Sequence, residues 1–222
     1  MFKRLLNKRL SDGDASLIEV VDKHISKNIG PIACVLDEKT SPVIHVDLYV
    51  VEPNKERPFF TIITSGMAEK PMKVPPEMAG FEYAELLICL PPDWPVSMKA
   101  FDDESNWWPF RLLKMLARYP HQNDTWLWSG HTIQCSRPPK PFGPNTEMTG
   151  ALIGPATTLG EGARSLKWGR KRNIRFFGVY PLYTEELEFK KKNGLDDFLT
   201  FFTEAGITEL LDPKRRSVVI PT

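Results

Sequence analysis

Glu85-Leu86-Leu87-Ile88-Cys89-Leu90 runs straight into Pro91-Pro92-Asp93-Trp94-Pro95, and the fold turns on that boundary. A short apolar run stopped by prolines reads as a strand covered on both faces. The strand is expected over Phe81 to Leu90, in the middle of a sheet. Upstream, Val43, His45, Asp47 and Tyr49 alternate with Ile44, Val46, Leu48 and Val50, which is strand spacing with one aliphatic face. Pro58 to Thr64 reads as the next strand, and the polar Glu52 to Arg57 between them as the turn of a hairpin. Gly66 to Pro76, rich in proline and methionine, reads as an ordered loop.

Working outward, a helix is expected from Trp107-Trp108-Pro109, with the proline in its first turn, to Tyr119-Pro120. Trp108, Leu112, Met115, Leu116 and Tyr119 would face inward, with Arg111, Lys114 and Arg118 opposite. Thr132 to Cys135 and Ala151 to Ile153 read as short strands, and Arg175 to Leu182 as a longer one. Thr184 is expected to cap a short helix that Gly194 breaks, before an apolar stripe of Leu195, Phe198, Leu199 and Phe202 ending at Gly206. A first helix spans Ala15 to Asn28, with Ser16 and Glu19 as its expected capping box, and residues 1–14 form an N-terminal extension. The pattern gives an α+β fold: a mixed, mainly antiparallel sheet packed against several helices, as a single domain over residues 1–222.

Composition narrows the function. Lys and Arg number 29 against 28 Asp and Glu, without the basic excess of a dedicated nucleic-acid binder. No apolar run approaches the ~20 residues that a membrane helix needs. Met1-Phe2-Lys3-Arg4-Leu5-Leu6 lacks the long apolar stretch of a secretory signal. Cys34, Cys89 and Cys135 form no CxxC pair and are read as small core residues in a reducing, cytoplasmic setting. Prolines number 20, roughly twice the usual ~5%, so many connections should be ordered.

Signatures of catalysis are sparse. GxSxG, HExxH, GxxxxGK[ST] and a complete GxGxxG are absent, and no cofactor is expected. His24 lies on the apolar face of the first helix and reads as a core residue. His45 and Asp47 share a strand face, and with His121 and His131 they could build a metal site for a hydrolase or nuclease-like enzyme. Ser129, His131 and Asp47, or Cys135 and His131, could be arranged as a nucleophilic centre, but nothing marks an oxyanion site. Arg164, Lys167, Arg170, Lys171, Arg172 and Arg175 surround Trp168, a pattern suited to phosphate and base contact or to a solvated loop. Lys190-Lys191-Lys192 is explained by a helix C-terminus. Trp94, Trp107, Trp108, Trp126, Trp128 and Trp168 lie in or beside loops, where tryptophan either caps a core or anchors a partner.

Several blocks resemble the suppressor-of-fused family. They are Thr64-Ser65-Gly66-Met67 with Pro71-Met72, Ala84 to Pro91 leading to Asp93-Trp94, and Leu116-Ala117-Arg118-Tyr119. Trp128-Ser129-Gly130-His131 and Phe177 to Leu187, followed by Asn193-Gly194, complete the set, and the similarity runs from about 43 to 218. It implies a non-enzymatic protein-binding domain. In the animal member such a domain is one lobe of a clamp that holds a transcription-factor segment by strand addition. Here the chain ends soon after Arg215-Arg216, so the two-lobed clamp and its ligand are not expected to carry over. Compact single-domain members look like bacterial immunity proteins of polymorphic toxin systems. The expected partner is therefore a protein, plausibly a toxin domain, with no membrane and no nucleic acid. Trp94, Trp107, Trp126, His131, Trp168 and Arg170 are the expected contact residues, with His45 and Asp47 if their sheet face is open.

Overall fold

A computed structural model describes residues 13–38, 41, 43–170 and 172–219. Lys171 and all but the end of the expected N-terminal extension lie outside the described residues. The sheet holds β1 (Ile32–Leu36), β2 (Asp47–Val51), β3 (Phe60–Ser65), β4 (Tyr83–Leu90), β5 (Thr132–Gln134), β6 (Gly150–Pro155), β7 (Ser165–Trp168) and β8 (Arg172–Leu182). Four helices accompany it among the described residues: α1 (Ala15–Asn28), α2 (Glu104–Gln122), α3 (Thr184–Asn193) and α4 (Leu195–Glu204). Strand order is β1-β2-β3-β4-β8-β6-β5, with β7 also on β8. β4 and β8 run parallel, and the other pairings are antiparallel. This is the mixed α+β architecture that the alternating and continuous apolar runs imply.

β4 lies between β3 and β8 and is buried from Ala84 to Leu90. Alternation sends Leu86, Ile88 and Leu90 into one core with Trp108, Leu112 and Leu116 of α2. Leu87 and Cys89 enter a second core with Leu17, Val21 and Ile25 of α1. A third, smaller core joins Leu152, Tyr180 and Leu182 to Phe198 and Phe202 of α4. β8 serves all three because it is long: its first half pairs with β4 and β7, and its second half with β6. Past Gly178 the chain segment around Glu209–Leu211 takes β8's place beside β4. Cys89 N donates to Glu209 O at 2.9 Å, and Leu211 N donates to Cys89 O at 2.8 Å.

Several expectations need correction. Asp14, not Ser16, caps α1, its carboxylate accepting from Ser16 N and Leu17 N, while Glu19 pairs with Lys23 outside. Residues 44–46 are buried but only 47–51 form strand, and both faces of β2 are covered. β1 and β7 carry no clear apolar alternation and were not expected. α2 starts at Glu104 under an Asp103 cap, which leaves Pro109 in the helix interior, and it runs through Pro120 to Gln122. The proline is tolerated because Ser105 O, deprived of its i+4 donor, accepts from Asn145 Nδ2 at 3.1 Å. Asn145 Oδ1 in turn accepts from Trp108 Nε1. Tyr183 caps α3, and Thr184 is its first helical residue, because Glu186 accepts from Tyr183 N at 3.0 Å. Cys34 is exposed on β1 rather than in the core. His24 is buried as expected, stacked on Phe176 and bonded to Ala163 O.

Buried glutamates fasten the irregular segments to this frame. Glu85, fully buried in β4, accepts from Thr64 Oγ1, Gly66 N, Met67 N and Ala68 N. Glu209 does the same for Thr157 and Thr158 and accepts from Tyr180 OH at 3.1 Å. Glu186 holds Arg215 in a two-pronged ion pair, 2.6 Å on each prong, and accepts from Val218 N. Burial pushes Glu85 up to about 7 against the pull of its donors. A raised acid binds its proton more tightly in the folded chain, so its stabilisation is full below about 4.5 and is lost as pH rises through about 7. Glu85→Gln should remove that slope. The stability difference between wild type and variant, read from urea titrations, should change by about 3 kcal/mol across that window. Parallel profiles for the two proteins would contradict it.

Candidate functional site

The sheet ends at β5 on one side, and the chain builds a pocket around that end. α2 stops at Gln122, and Asp124 turns the chain with a φ of 49°, which a short polar side chain tolerates. Thr125 O accepts from Lys73 N and Leu127 N meets Met72 Sδ, so the segment carrying Trp126 is tied to the ordered loop before β4. A tight turn follows: His131 N donates to Trp128 O, and Gly130, at φ +91°, donates to Ile153 O. A Cβ at Gly130 would stand 2.6 Å from Leu195 Cδ2. The glycine therefore sets both the turn and the close approach of α4, and it delivers His131 to the start of β5.

Gly130 N donates to Ile153 O, His131 O accepts from Ile153 N, Cys135 N donates to Thr149 O just before β6, and Ile133 stands opposite Ala151. Antiparallel alternation then turns the N–H and C=O of Thr132 and Gln134 outward, away from the sheet. Beside this edge lies a pocket of about 300 Å³ formed by Tyr119, Trp126, His131, Thr132, Ile133 and Lys190, with Thr125 and Leu127. Trp126 and His131 meet edge to face with centroids 4.6 Å apart, on the α2 side of the sheet. Lys190 arrives from α3 on the opposite side and donates to Thr132 Oγ1 at 3.3 Å. Burial holds both the Lys190 amine and the His131 imidazole below their ordinary values, and Lys190 adds its repulsion to the imidazole. Among the described residues neither group forms an ion pair.

The other expected contact residues lie elsewhere. Trp94 is 9% exposed and Trp168 is 8% exposed, so neither is the open anchor that its loop position suggested. The Trp94 indole donates to Asn106 O, and Trp168 lies under the Arg172 guanidinium, 4.1 Å from the ring centroid. Trp107 is half-buried and stacked on Phe110. Arg170 is exposed at the β7–β8 turn beside Asp14 and Ser16. His45 and Asp47 bond each other at 2.8 Å on a closed face, so the open surface on which their contact role depended is missing. Of the expected set the structure joins only Trp126 and His131. It also adds Tyr119, Thr132 and Lys190. Lys190 was read as a helix-end cation because no local pattern links it to a strand 58 residues away.

The alternative chemistries lose their geometry. Among the described residues no three His, Cys, Asp or Glu could hold a metal. His45 is engaged with Asp47, and His121 Nε2 bonds Met67 O at 3.0 Å. The Cys135 thiol is pushed up to about 12 by burial and so stays protonated, four residues along the extended chain from His131. Much of the basic cluster faces its own protein, with Arg172 over Trp168 and Tyr83, and Arg175 over Phe81 and Trp128. No helix among the described residues is long and apolar enough to cross a membrane.

A mixed sheet with helices on both faces and a pocketed open edge defines the class: an α+β domain whose marked surface feature is a strand edge. The model of the Suppressor of fused protein (SUFU) family matches residues 42–216, and the chain belongs to that family. A SUFU homologue from Neisseria gonorrhoeae superposes with a TM-score of 0.63 at 19% identity, over 93% of this chain and 97% of that one. A Sufu–Fu complex structure gives 0.61 at 14% identity, over 91% and 92%. Drosophila Suppressor of Fused gives 0.52 at 17% identity, over 80% of this chain and 43% of that longer one. Comparison with curated protein sequences gave no match.

Proposed function

We propose that this domain is a non-enzymatic protein-binding module that takes an extended segment of its partner onto the edge of β5. The outward backbone groups of Thr132 and Gln134, flanked by a pocket with aromatic and cationic walls, carry this reading. Strand addition would supply backbone bonds, and the pocket would select a side chain. A relative was solved as a Sufu–Fu complex, which fits a protein ligand for this family. The biological role we assign is that of a cytoplasmic immunity protein covering a toxin domain, consistent with its three free cysteines. A photo-crosslinking residue at Gln134 should capture one specific protein in the native cell, and the same probe at exposed Lys55 should not. That protein should arrest growth when expressed alone and be harmless beside this chain. Equal capture from both positions would overturn the edge as the site, and a captured protein that is not toxic would overturn the immunity role.

A further inference from the structure

Resting on the edge reading above, we infer that the β5 pocket selects an acidic side chain, an Asp or Glu carried on an extended segment of the partner protein. The inference comes from charge without a counter-charge. Lys190 reaches the edge strand from α3 on one face, and its contact there is a neutral hydroxyl, Thr132 Oγ1 at 3.3 Å. His131 stands at the same edge from the other face, braced by Trp126 and bonded to its backbone. Lys190 is the charge that acts on His131, so an ammonium and an imidazole face one opening, and among the described residues neither has an acid as ion-pair partner. Two other partly buried cations of this chain are paired, Arg118 with Glu38 and Arg215 with Glu186. The β5 pocket thus holds a partly buried ammonium that opens to the outside.

A carboxylate entering beside Thr132 would accept from the Lys190 ammonium and, once His131 is protonated, from the imidazole. Such charge-assisted bonds are about twice as strong as neutral ones. Tyr119 and Trp126 supply aromatic walls beside that position. A lysine or arginine in the same place would meet repulsion from the Lys190 ammonium, so the pocket discriminates by sign as well as by fit. An extended segment sets side chains at alternate positions against one face of the edge, so a single acidic position is expected, flanked by residues with no charge requirement.

The test uses a library of random seven-residue peptides displayed on phage and selected against the full chain. Selected peptides are remade and titrated while the Thr132 and Gln134 amide resonances are followed. The inference expects an Asp or Glu at one fixed position in peptides that shift those amides. Replacing that acid by its amide should weaken binding about tenfold or more. Lys190→Met should cause a similar loss for the acidic peptide and leave the amide analogue unaffected. His131→Gln provides a second variant in case loss of Lys190 disturbs α3. Peptides that shift the β5 amides without any acidic preference would overturn the charge selection and leave the edge site standing. Peptides that bind without shifting those amides, or a library that yields none that do, would overturn the edge site itself.

Discussion

Arg215→Met is expected to destabilise the domain by about 3–5 kcal/mol, because it strands a carboxylate where water cannot reach it. Glu186 has no exposed surface, and the Arg215 side chain retains only 10%. The guanidinium meets both carboxylate oxygens at 2.6 Å, donates to Pro181 O at 3.0 Å, and lies over the rings of Tyr183 and Phe202. Methionine can fill much of the space but cannot offset the charge. After the change Glu186 keeps only Tyr183 N and Val218 N as donors. Adding Glu186→Gln to Arg215→Met should recover most of the loss, since the cost lies in the unpaired charge rather than in the missing contact. Chemical denaturation of the wild type, both single variants and the double variant gives the coupling directly. A loss under about 1 kcal/mol for Arg215→Met would show that the pair is solvated in the working protein.

Gly66→Ala should cost at least about 4 kcal/mol, through a collision with the main chain. Gly66 sits at φ +125°, a conformation that side chains rarely adopt, and an added Cβ would stand 1.8 Å from His45 O. No rotamer relieves that contact. The backbone of 45–46 or 66–68 must move, and the second of these segments supplies three of the N–H donors to buried Glu85. Gly80→Ala is the matched control. It also has positive φ, +95°, but open space around the new carbon, so it should lose only about 1–3 kcal/mol from strain. Equal midpoints for the two variants in thermal or urea unfolding would contradict the collision argument.

The sequence made the middle of the molecule legible. The run from Leu86 to Leu90 is continuously apolar because both faces are covered, and its short length with a proline boundary fixes it as strand. α1 shows its inward stripe through Leu17, Val21, His24 and Ile25, all of which are buried. β1 was hidden because an edge strand needs no buried face, and its central residues are exposed. Pro109 misled the reading of α2 because its tolerance depends on Asn145, a residue 36 positions away that no local rule can see. Tryptophan position proved a poor guide to exposure. Trp94 and Trp168 lie beside loops yet are covered by the elements those loops return to. At the β5 edge, Trp126 and His131 could be picked out as residue types of interest. Lys190 could not, because its role exists only once α3 folds back over the sheet.

The order in which β4 acquires its neighbours has a consequence for biosynthesis. Its first partner, β3, precedes it closely in the chain, but β8 begins at Arg172 and the last strip beside Cys89 is supplied by Leu210. A nascent chain leaving the ribosome would therefore carry a finished β2–β3–β4 meander with one flank unmet until β8 and Leu210 have emerged. Such long-range pairing slows folding and leaves an apolar flank open to other chains meanwhile. Holdase chaperones that cover extended apolar segments should accordingly matter more to the yield of this domain than its modest length would suggest.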